Sequence, residues 1–586
     1  MRQWMVAAKK ADFYAIAEKF HVDPVVARII RNREVIGEKN IRIYLGGNLS
    51  DLSDPHQMKD MDRLGEILAQ KIRKQVHIRI IGDYDVDGVT SSHLFLTALR
   101  RVGAKVDVVI PHRIQDGYGL SLHLLQQAKE DGVDTILTCD NGIAAIDEIA
   151  WAKAQKMTVL VTDHHAVPFE EHEGRRTEKK SLADAVVNPH QQDCGYPYKE
   201  LCGAGVAWNV IRVLYENYDM DKREAEDLLD FVAMATVCDV MSLTGENRIL
   251  VKEGLKRIRH TKNIGLQALM QACNVQPENI SAYHFGYVLG PCVNATGRLD
   301  TARHALRLFE TGQETEAEEI ARDLVDLNQE RKELTLQGVE MAKKLCEEGG
   351  YEKDPVLVLF LPDVHESIAG LIAGRIREMY NRPVFVLTRG EEGVKGSGRS
   401  TENYSMYENM CGCAELFTKF GGHPMAAGLS LPEENVEKFR RKINENCPLT
   451  VEEVCPDIHI DMAMPVGYAS TELVHQFALL EPFGKDNPSP LFADRNLSIS
   501  RMWVIGKNRN VLRMSVLSEY GQPVPVIFFG DVETLFAYFT EKFGQEEVEN
   551  ALHGRKNRIL FSMVYTAKVD FYQGNENLQL EMKYYR

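Results

Sequence analysis

Between about Val76 and Val167, short apolar runs alternate with stretches whose apolar positions recur at helical spacing. VHIRIIG (76–82) is a continuous run of strand length, and SSHLFLTALRRVG (91–103) has the spacing of an amphipathic helix. VDVVIPH, TILTCD and MTVLVTDHH are three further β-rich runs separated by helical or turn-rich segments. Strands that alternate with helices predict a largely parallel sheet covered on both faces. In such sheets ligands collect at the carboxyl ends of the strands.

The pattern becomes more helical from Gly203 to about Leu308 and includes DLLDFVAMATVCDV. From Glu314 to Glu348 it is highly charged, with helical spacing, no proline and one glycine at 338, which predicts a long connecting helix. A second α/β unit begins at Pro355 with VLVLF, SIAGLIAGRIREMY and RPVFVLT. After Cys455 the texture changes to alternating strands, LSISRMWVIG, VLRMSVL, PVPVIFFG and RILFSMVYTAKVDFY, which predict a small barrel of OB type.

The chain has 586 residues, more than one hydrophobic core accommodates. The predicted architecture is multidomain α/β. An N-terminal region (1–75) packs on a parallel-sheet domain (76–308), and a connecting helix (309–350) leads to a second α/β domain (351–450) and a β-barrel (455–586). The N-terminus, MRQWMVAAKKADFY, lacks the apolar stretch of a secretory signal, and no run reaches the roughly 18 apolar residues of a membrane span. The eleven cysteines are scattered without a CxxC pair; Cys139 and Cys238 lie in apolar stretches, and the C-x-C of Cys411 and Cys413 is a weak metal signal. A reducing cytoplasm is the expected compartment. The net charge of −16 argues against indiscriminate coating of nucleic acid. A local basic groove is compatible with it, because salt screens charges beyond about 8–10 Å.

Ile81-Gly-Asp-Tyr-Asp-Val-Asp-Gly88 sets Asp83, Asp85 and Asp87 at alternate positions directly after an apolar strand. An EF-hand loop also begins D-x-D-x-D-G, but it needs a Glu at its twelfth position, where this chain has Leu94, and a preceding helix, where this chain has VHIRIIG. The alternative is a metal cluster at strand ends: TILTCD ends at Asp140, and MTVLVTDHH at Asp163, His164 and His165. If these strands are parallel neighbours, the carboxylates converge, and one pair 4 Å apart costs about 4 kcal/mol at an effective dielectric near 20. Divalent cations remove that penalty, and oxygen donors with one or two imidazoles suit Mn²⁺ or Mg²⁺ better than structural zinc. Helix capping is the competing role for any single Asp here, and for Asp239 at the end of ATVCDV.

By these residues the chain resembles the DHH phosphoesterase superfamily and, within it, the RecJ nucleases. GDYDVDG, TCDNG, VTDHH, VCDV with NRILV, and GGHPMAAG carry the superfamily resemblance; HRIQDGYGLS, LGPCVNATGRLD, KGSGRS and EPFGKDNPSPLF match RecJ more narrowly. The match keeps its order over nearly the whole length. It implies a DHH domain, a DHH-associated substrate domain and an OB-fold. It also implies two divalent ions, Mn²⁺ or Mg²⁺, one on Asp83, Asp85 and Asp140 and the other on Asp87, Asp140, His164 and Asp239. Asp163 would then orient His164, and His165 would face the metals or the scissile phosphate. The implied reaction is two-metal hydrolysis of the P–O3′ bond of single-stranded DNA from its 5′ end, without a covalent Ser or Cys nucleophile.

By the same resemblance Arg113, Asn294, Arg298, Ser397, Arg399 and His423 would bind substrate phosphates, although glycine-rich turns such as those around the last three also serve simply as turns. Arg501, Trp503, Lys507, Arg509 and Arg513 interleave cations with an aromatic, as sequence-tolerant single-strand binding requires. A solvated barrel face with Trp503 in the core is the alternative. A helicase and a single-strand-binding protein are the expected partners, and a monomer the expected state. A DHH phosphodiesterase acting on short oligonucleotides or cyclic dinucleotides is the alternative function. The chain departs from the family pattern at Cys292, Val364, Ser367 and Asp486, none of them an implied metal ligand.

Overall fold

The computed structural model describes residues 3–113, 116, 119–172, 175–299, 301–351, 353–390, 393–506, 510–572 and 574–586. The chain divides into two compact units, one of Leu49–Pro456 and one of Gln3–Asn48 with Asp457–Arg586.

In the first unit five parallel strands form one sheet: β1 (Ile78–Ile81), β2 (Val106–Val109), β3 (Thr135–Cys139), β4 (Thr158–Thr162) and β5 (Ala185–Val187), in the order β2-β1-β3-β4-β5. The β1 and β3 strands are buried at every position, as a sheet covered on both faces requires. The register aligns Ile81 with Thr138, and Cys139 with Thr162, so the three acidic loops leave the same edge. Three helices complete the surroundings: α1 (Val86–Arg101), α2 (Gly203–Glu216) and α3 (Leu229–Cys238), whose Phe95, Val210 and Val232 are among the residues of one continuous core.

The long helix, α4 (Glu314–Glu348), has the predicted limits and leads into a second sheet. That sheet runs β9-β10-β8-β7-β6, from β6 (Leu357–Phe360), β7 (Val384–Gly390), β8 (Gly393–Arg399), β9 (Lys419–Gly422) and β10 (Ala426–Leu431). The helix α5 (Ala369–Tyr380) packs on it. Gly338 lets α4 approach α5 closely, since a Cβ there would lie 2.3 Å from Ile372 Cδ1.

In the second unit β11 (Phe492–Ile505), β12 (Val511–Leu517), β13 (Pro523–Phe529), β14 (Leu560–Tyr572) and β15 (Asn575–Tyr585) follow the order β11-β12-β13-β15-β14, and β14 pairs back on β11 to close the barrel. The N-terminal region departs from expectation. Only residues from Leu49 onward belong to the phosphoesterase unit; residues 3–48 belong with the barrel. The reason lies in their apolar face: Val26, Ile29 and Ile30 of the helix Pro24–Asn32 bury in the same cluster as barrel residues Met514 and Phe561. Trp4–Val6 also pairs as a parallel strand with Ile458–Ile460.

Candidate metal centre and phosphate cleft

Each acidic group is positioned by the turn that ends its strand. Asp83 and Asp85 occupy the loop from β1 to α1, and Asp85 also caps that helix, accepting the Gly88 N–H at 3.0 Å. Capping and clustering therefore coincide at Asp85. The loop is tight: a Cβ on Gly88 would fall 2.4 Å from the Asp83 carbonyl oxygen. Asp140, directly after β3, takes the left-handed conformation (φ 60°), an uncommon one for a residue with a side chain. Asp239 ends α3 as its C-cap.

These loops bring the predicted residues together. Ligand atoms of Asp83, Asp85 and Asp140 lie within 4.8 Å of one another, as do those of Asp87, His164 and Asp239, and those of Asp140, His164 and His165. His164 Nε2 stands 3.1 Å from Asp140 Oδ1, 3.6 Å from Asp239 Oδ2 and 3.7 Å from Asp87 Oδ2, which joins the groups into one cluster. Burial, followed by the neighbouring carboxylates, pushes the Asp140 and Asp83 carboxyls well above the ordinary range. Burial and Asp85 raise Asp87 to about 6, against the pull of two backbone N–H groups. Burial lowers His164 to about 3, so its ring is neutral and its nitrogen is a donor atom for a cation.

A pair of divalent cations fits this site on observation. Asp83 Oδ1 and His164 Nε2 are buried without a hydrogen-bond partner among the described residues. Gly203 leaves the space beside Asp140 open, where a Cβ would stand 2.6 Å from Asp140 Cβ and 2.9 Å from its Oδ1. Carboxylate oxygens with one neutral imidazole are the donor set of Mn²⁺ and Mg²⁺.

Asp163 departs from its expected role. Its Oδ1 meets the His165 ring Nδ1 at 2.8 Å and accepts the His164 and His165 backbone N–H groups at 2.7 and 3.0 Å, while Oδ2 accepts that of Ile143 at 2.8 Å. It therefore orients the His165 ring and reaches His164 only through the backbone. The short reach of an Asp two residues before His165 explains the choice. Burial alone would lower His165, but the bond to Asp163 and the Asp163, Asp239 and Asp87 charges raise it to about 9 in the metal-free protein.

Sequence reasoning missed the support for Asp87. Its two oxygens accept the N–H groups of Gly203 and Ala204, at 2.6 and 2.7 Å, at the first turn of α2. Glycines opening a helix after Leu201-Cys202 are the trace this leaves in the sequence, since a helix N-terminus attracts a carboxylate.

A cleft of about 500 Å³ beside the cluster is lined by Tyr84 and Arg113 on one side and by Ser367, Lys395, Ser397 and Lys419, among others, on the other. Arg113 stacks 4.8 Å over the Tyr84 ring, between the two aspartates of the metal loop. Arg399 donates to its own neighbour's carbonyl, Gly398 O, at 2.7 Å and to Ser397 Oγ at 3.3 Å. Arg298 donates to Ser367 O at 2.6 Å. Burial, then the charges of Arg113, Arg331 and Arg399, lowers Arg298 to about 10. A guanidinium held among other cations in this way is a candidate for an anion. Arg331, inside the long charged helix, donates from Nε and Nη2 to Asn328 Oδ1 at 3.1 and 2.8 Å.

Two expected contacts fall elsewhere. Asn294 Oδ1 accepts the Val86 N–H at 3.2 Å and so braces the metal loop. His423 is exposed at the turn between β9 and β10 and, like Arg298 and Arg399, is not among the residues lining the cleft. Of the HRIQDGYGLS and GRLD motifs, Ile114, Gln115, Gly117, Tyr118 and Asp300 lie outside the described residues.

On the barrel, Arg501, Trp503 and Arg513 share one exposed face. Trp503 pairs with Arg513 across β11 and β12, and the Arg501 guanidinium sits 5.7 Å from the Trp503 ring. Trp503 is 36% exposed, so it is not a core residue. Lys507 and Arg509 lie outside the described residues.

The four departures are accommodated. Asp486, in a position where the family pattern has glycine, adopts φ 59°. Ser367 holds Arg298 through its carbonyl, which any residue supplies. Val364 packs in the core between α4 and the second sheet. Cys292 is buried against Cys273.

Comparison with known proteins gives three family matches: the DHH family N-terminal domain over residues 77–236, the DHHA1 domain over 353–447 and the RecJ OB domain over 460–584. The chain is 32% identical to the single-stranded-DNA-specific exonuclease RecJ of Haemophilus influenzae over 96% of each chain. To the Bacillus subtilis RecJ it is 33% identical over 87% of its own length but spans only 63% of that relative. Among solved structures, Thermus thermophilus RecJ with Mn²⁺ matches all of this chain and 79% of its own, with TM-score 0.79 at 24% identity. An exonuclease RecJ bound to manganese matches 66% of this chain and 94% of its own, with TM-score 0.56 at 32% identity.

Proposed function

The chain belongs to the RecJ family, and from that premise we propose that it is a 5′-to-3′ exonuclease that hydrolyses single-stranded DNA to 5′-mononucleotides. The observation that carries this reading is the joining of Asp83, Asp85, Asp87, Asp140, His164 and Asp239 into one buried cluster beside a cationic cleft. The relatives named above are single-stranded-DNA-specific exonucleases, and one solved relative holds manganese.

Asp83, Asp85 and Asp140 would hold one cation and Asp87, Asp140, His164 and Asp239 the other. When bound, two such ions activate water and stabilise the attacking and leaving oxygens of an in-line displacement. The chain's own groups do the remaining work. Gly203 and Ala204 fix Asp87, and Asp163 holds the His165 ring, which would face a phosphate oxygen. Arg113, Arg298, Ser397 and Arg399 would grip the 5′ end, and Arg501, Trp503 and Arg513 would hold the strand by stacking and charge without reading bases. His423 would join from its exposed turn.

The same reading includes domains at 76–308, 351–450 and 455–586 with a connecting helix at 309–350, a cytoplasmic location, a monomeric state, and assistance from a helicase and a single-strand-binding protein. None of the described helices is long and apolar enough to cross a membrane. The test uses single-stranded DNA labelled at either end, Mn²⁺, and Asp140→Ala protein as control. Mononucleotides released from the 5′ end by the native chain alone are expected. Cleavage retained in Asp140→Ala would overturn the ligand assignment, and activity confined to dinucleotides would overturn the substrate.

A further inference from the structure

One pair of side chains beside the clamp has no part in the chemistry above. Cys273, which follows the helix Ile264–Ala272, and Cys292, on the helix Gly290–Leu299, place their sulfurs 3.7 Å apart. Cys292 is a position at which the chain departs from its family's pattern. We propose that Cys273 and Cys292 are an oxidation site, a thiol pair that a hydroperoxide closes to a disulfide, and that this closure acts on the grip of Arg298.

Proximity is the first support, because sulfurs already in contact are within side-chain torsion of the about 2.0 Å of a bond. Polarity is the second. Cys292 Sγ accepts the Asn328 Nδ2–H at 3.3 Å and donates its own S–H to the Val288 carbonyl at 3.3 Å. The bond from Cys273, then that from Asn328, with the Lys332 and Arg331 charges, lowers the Cys292 thiol against the opposing effect of burial. Within the pair Cys292 is the lowered thiol and Cys273 the raised one, so Cys292 is the sulfur that gives up its proton first. Cys292 is buried and Cys273 half-buried, so a hydroperoxide would reach the pair from the Cys273 side.

The steps balance. The Cys292 thiolate attacks the peroxide O–O bond, which breaks; the sulfur becomes a sulfenic acid, and the departing alkoxide or hydroxide takes up a proton. Cys273 then attacks that sulfur, the S–S bond forms, the S–O bond breaks, and hydroxide leaves with the Cys273 proton as water. Two thiols are oxidised and one hydroperoxide is reduced.

The connection to the clamp is direct. Cys292 shares its helix with Asn294 and Arg298. Through Asn328 it also touches Arg331, whose Nε and Nη2 donate to Asn328 Oδ1 at 3.1 and 2.8 Å. Closing the pair ties the Arg298 helix to the end of the helix Ile264–Ala272 and alters the bond that holds Arg331.

The experiment oxidises the full-length chain with hydrogen peroxide before metal is added, alkylates free thiols, and maps peptides by mass without reductant. Linked peptides bearing Cys273 and Cys292, two hydrogens lighter than their sum and released by dithiothreitol, are expected. So is a several-fold higher KM on 5′-phosphorylated strands with kcat little changed, reversed by dithiothreitol and absent in Cys273→Ser. Both thiols alkylated after peroxide, or a sulfinic acid on Cys292 with no link, would overturn the site. A link with unchanged KM would overturn its action on the clamp. That second part rests on the exonuclease reading; the mass readout does not, so the two failures are distinguishable.

Discussion

At the scale of single residues, the site is a set of carboxylates placed where their charge is costly. Asp87 in the metal-free protein has a pKa of about 6, above the ordinary 3.8. A carboxyl raised on folding contributes stability below its unfolded pKa and loses it as pH rises through the folded one, so Asp87 opposes folding progressively from about pH 4 to about pH 6. A cation binds only the ionised form and removes the penalty. The rise in Tm on adding Mn²⁺ is therefore expected to be small at about pH 5 and to grow toward about pH 7. Calorimetry at several pH values checks this, and a pH-independent gain would place the cation elsewhere. Arg399 is a different case, because its partners within the chain are a carbonyl and a hydroxyl rather than an acid. Arg399→Ala should raise KM for 5′-phosphorylated strands about tenfold or more, as loss of a charge-assisted bond of about 1.5–3 kcal/mol implies. Equal KM values for native and variant protein would remove Arg399 from the clamp.

At the scale of elements, the parallel sheet was legible because β1, β3 and β4 are short, largely apolar runs that lead into Asp83, Asp140 and Asp163; β5, three residues followed by Asn188, left no such signal. The long helix was legible to its last residue because charge, spacing and the absence of proline agree over its length. What could not be read was the placement of α2, whose first turn holds Asp87 through two backbone amides. That interaction joins residues 116 and 117 positions apart and involves no side chain of α2. It also gives Gly203 a purpose. Gly203→Ala would press a methyl group on Asp140, and overpacking of this kind costs about 1–3 kcal/mol. The expected outcome is weaker Mn²⁺ binding in titration with a larger loss of turnover than of Tm. Unchanged Mn²⁺ affinity would mean that the surrounding chain yields without cost.

At the scale of the whole molecule, the metal cluster and cleft belong to one unit and the Arg501–Trp503–Arg513 face to the other. Chemistry and strand holding are thereby separable. Replacing both Trp503 and Arg513 with alanine should raise KM on long single strands and reduce its salt dependence, while leaving cleavage of a dinucleotide unchanged. Stacking alone is worth about 1–3 kcal/mol per base, and removing one cation that neutralises a phosphate flattens the salt slope by about 0.7 for single strands. A parallel loss on dinucleotides would show that the barrel face supports the fold or the metal unit instead.

The sequence by itself determined the strand ends, the acidic and imidazole residues they carry, the long helix and the barrel, because each of these is written in local periodicity and spacing. Only the tertiary structure decided that Asp163 serves the His165 ring, that Asn294 braces the metal loop and that residues 3–48 go with the barrel. In each case the deciding interaction is a short-range one whose geometry depends on the angle at which elements distant in sequence, or a turn and its ring, meet. Periodicity records which face of an element is apolar, but it does not record which neighbour covers that face.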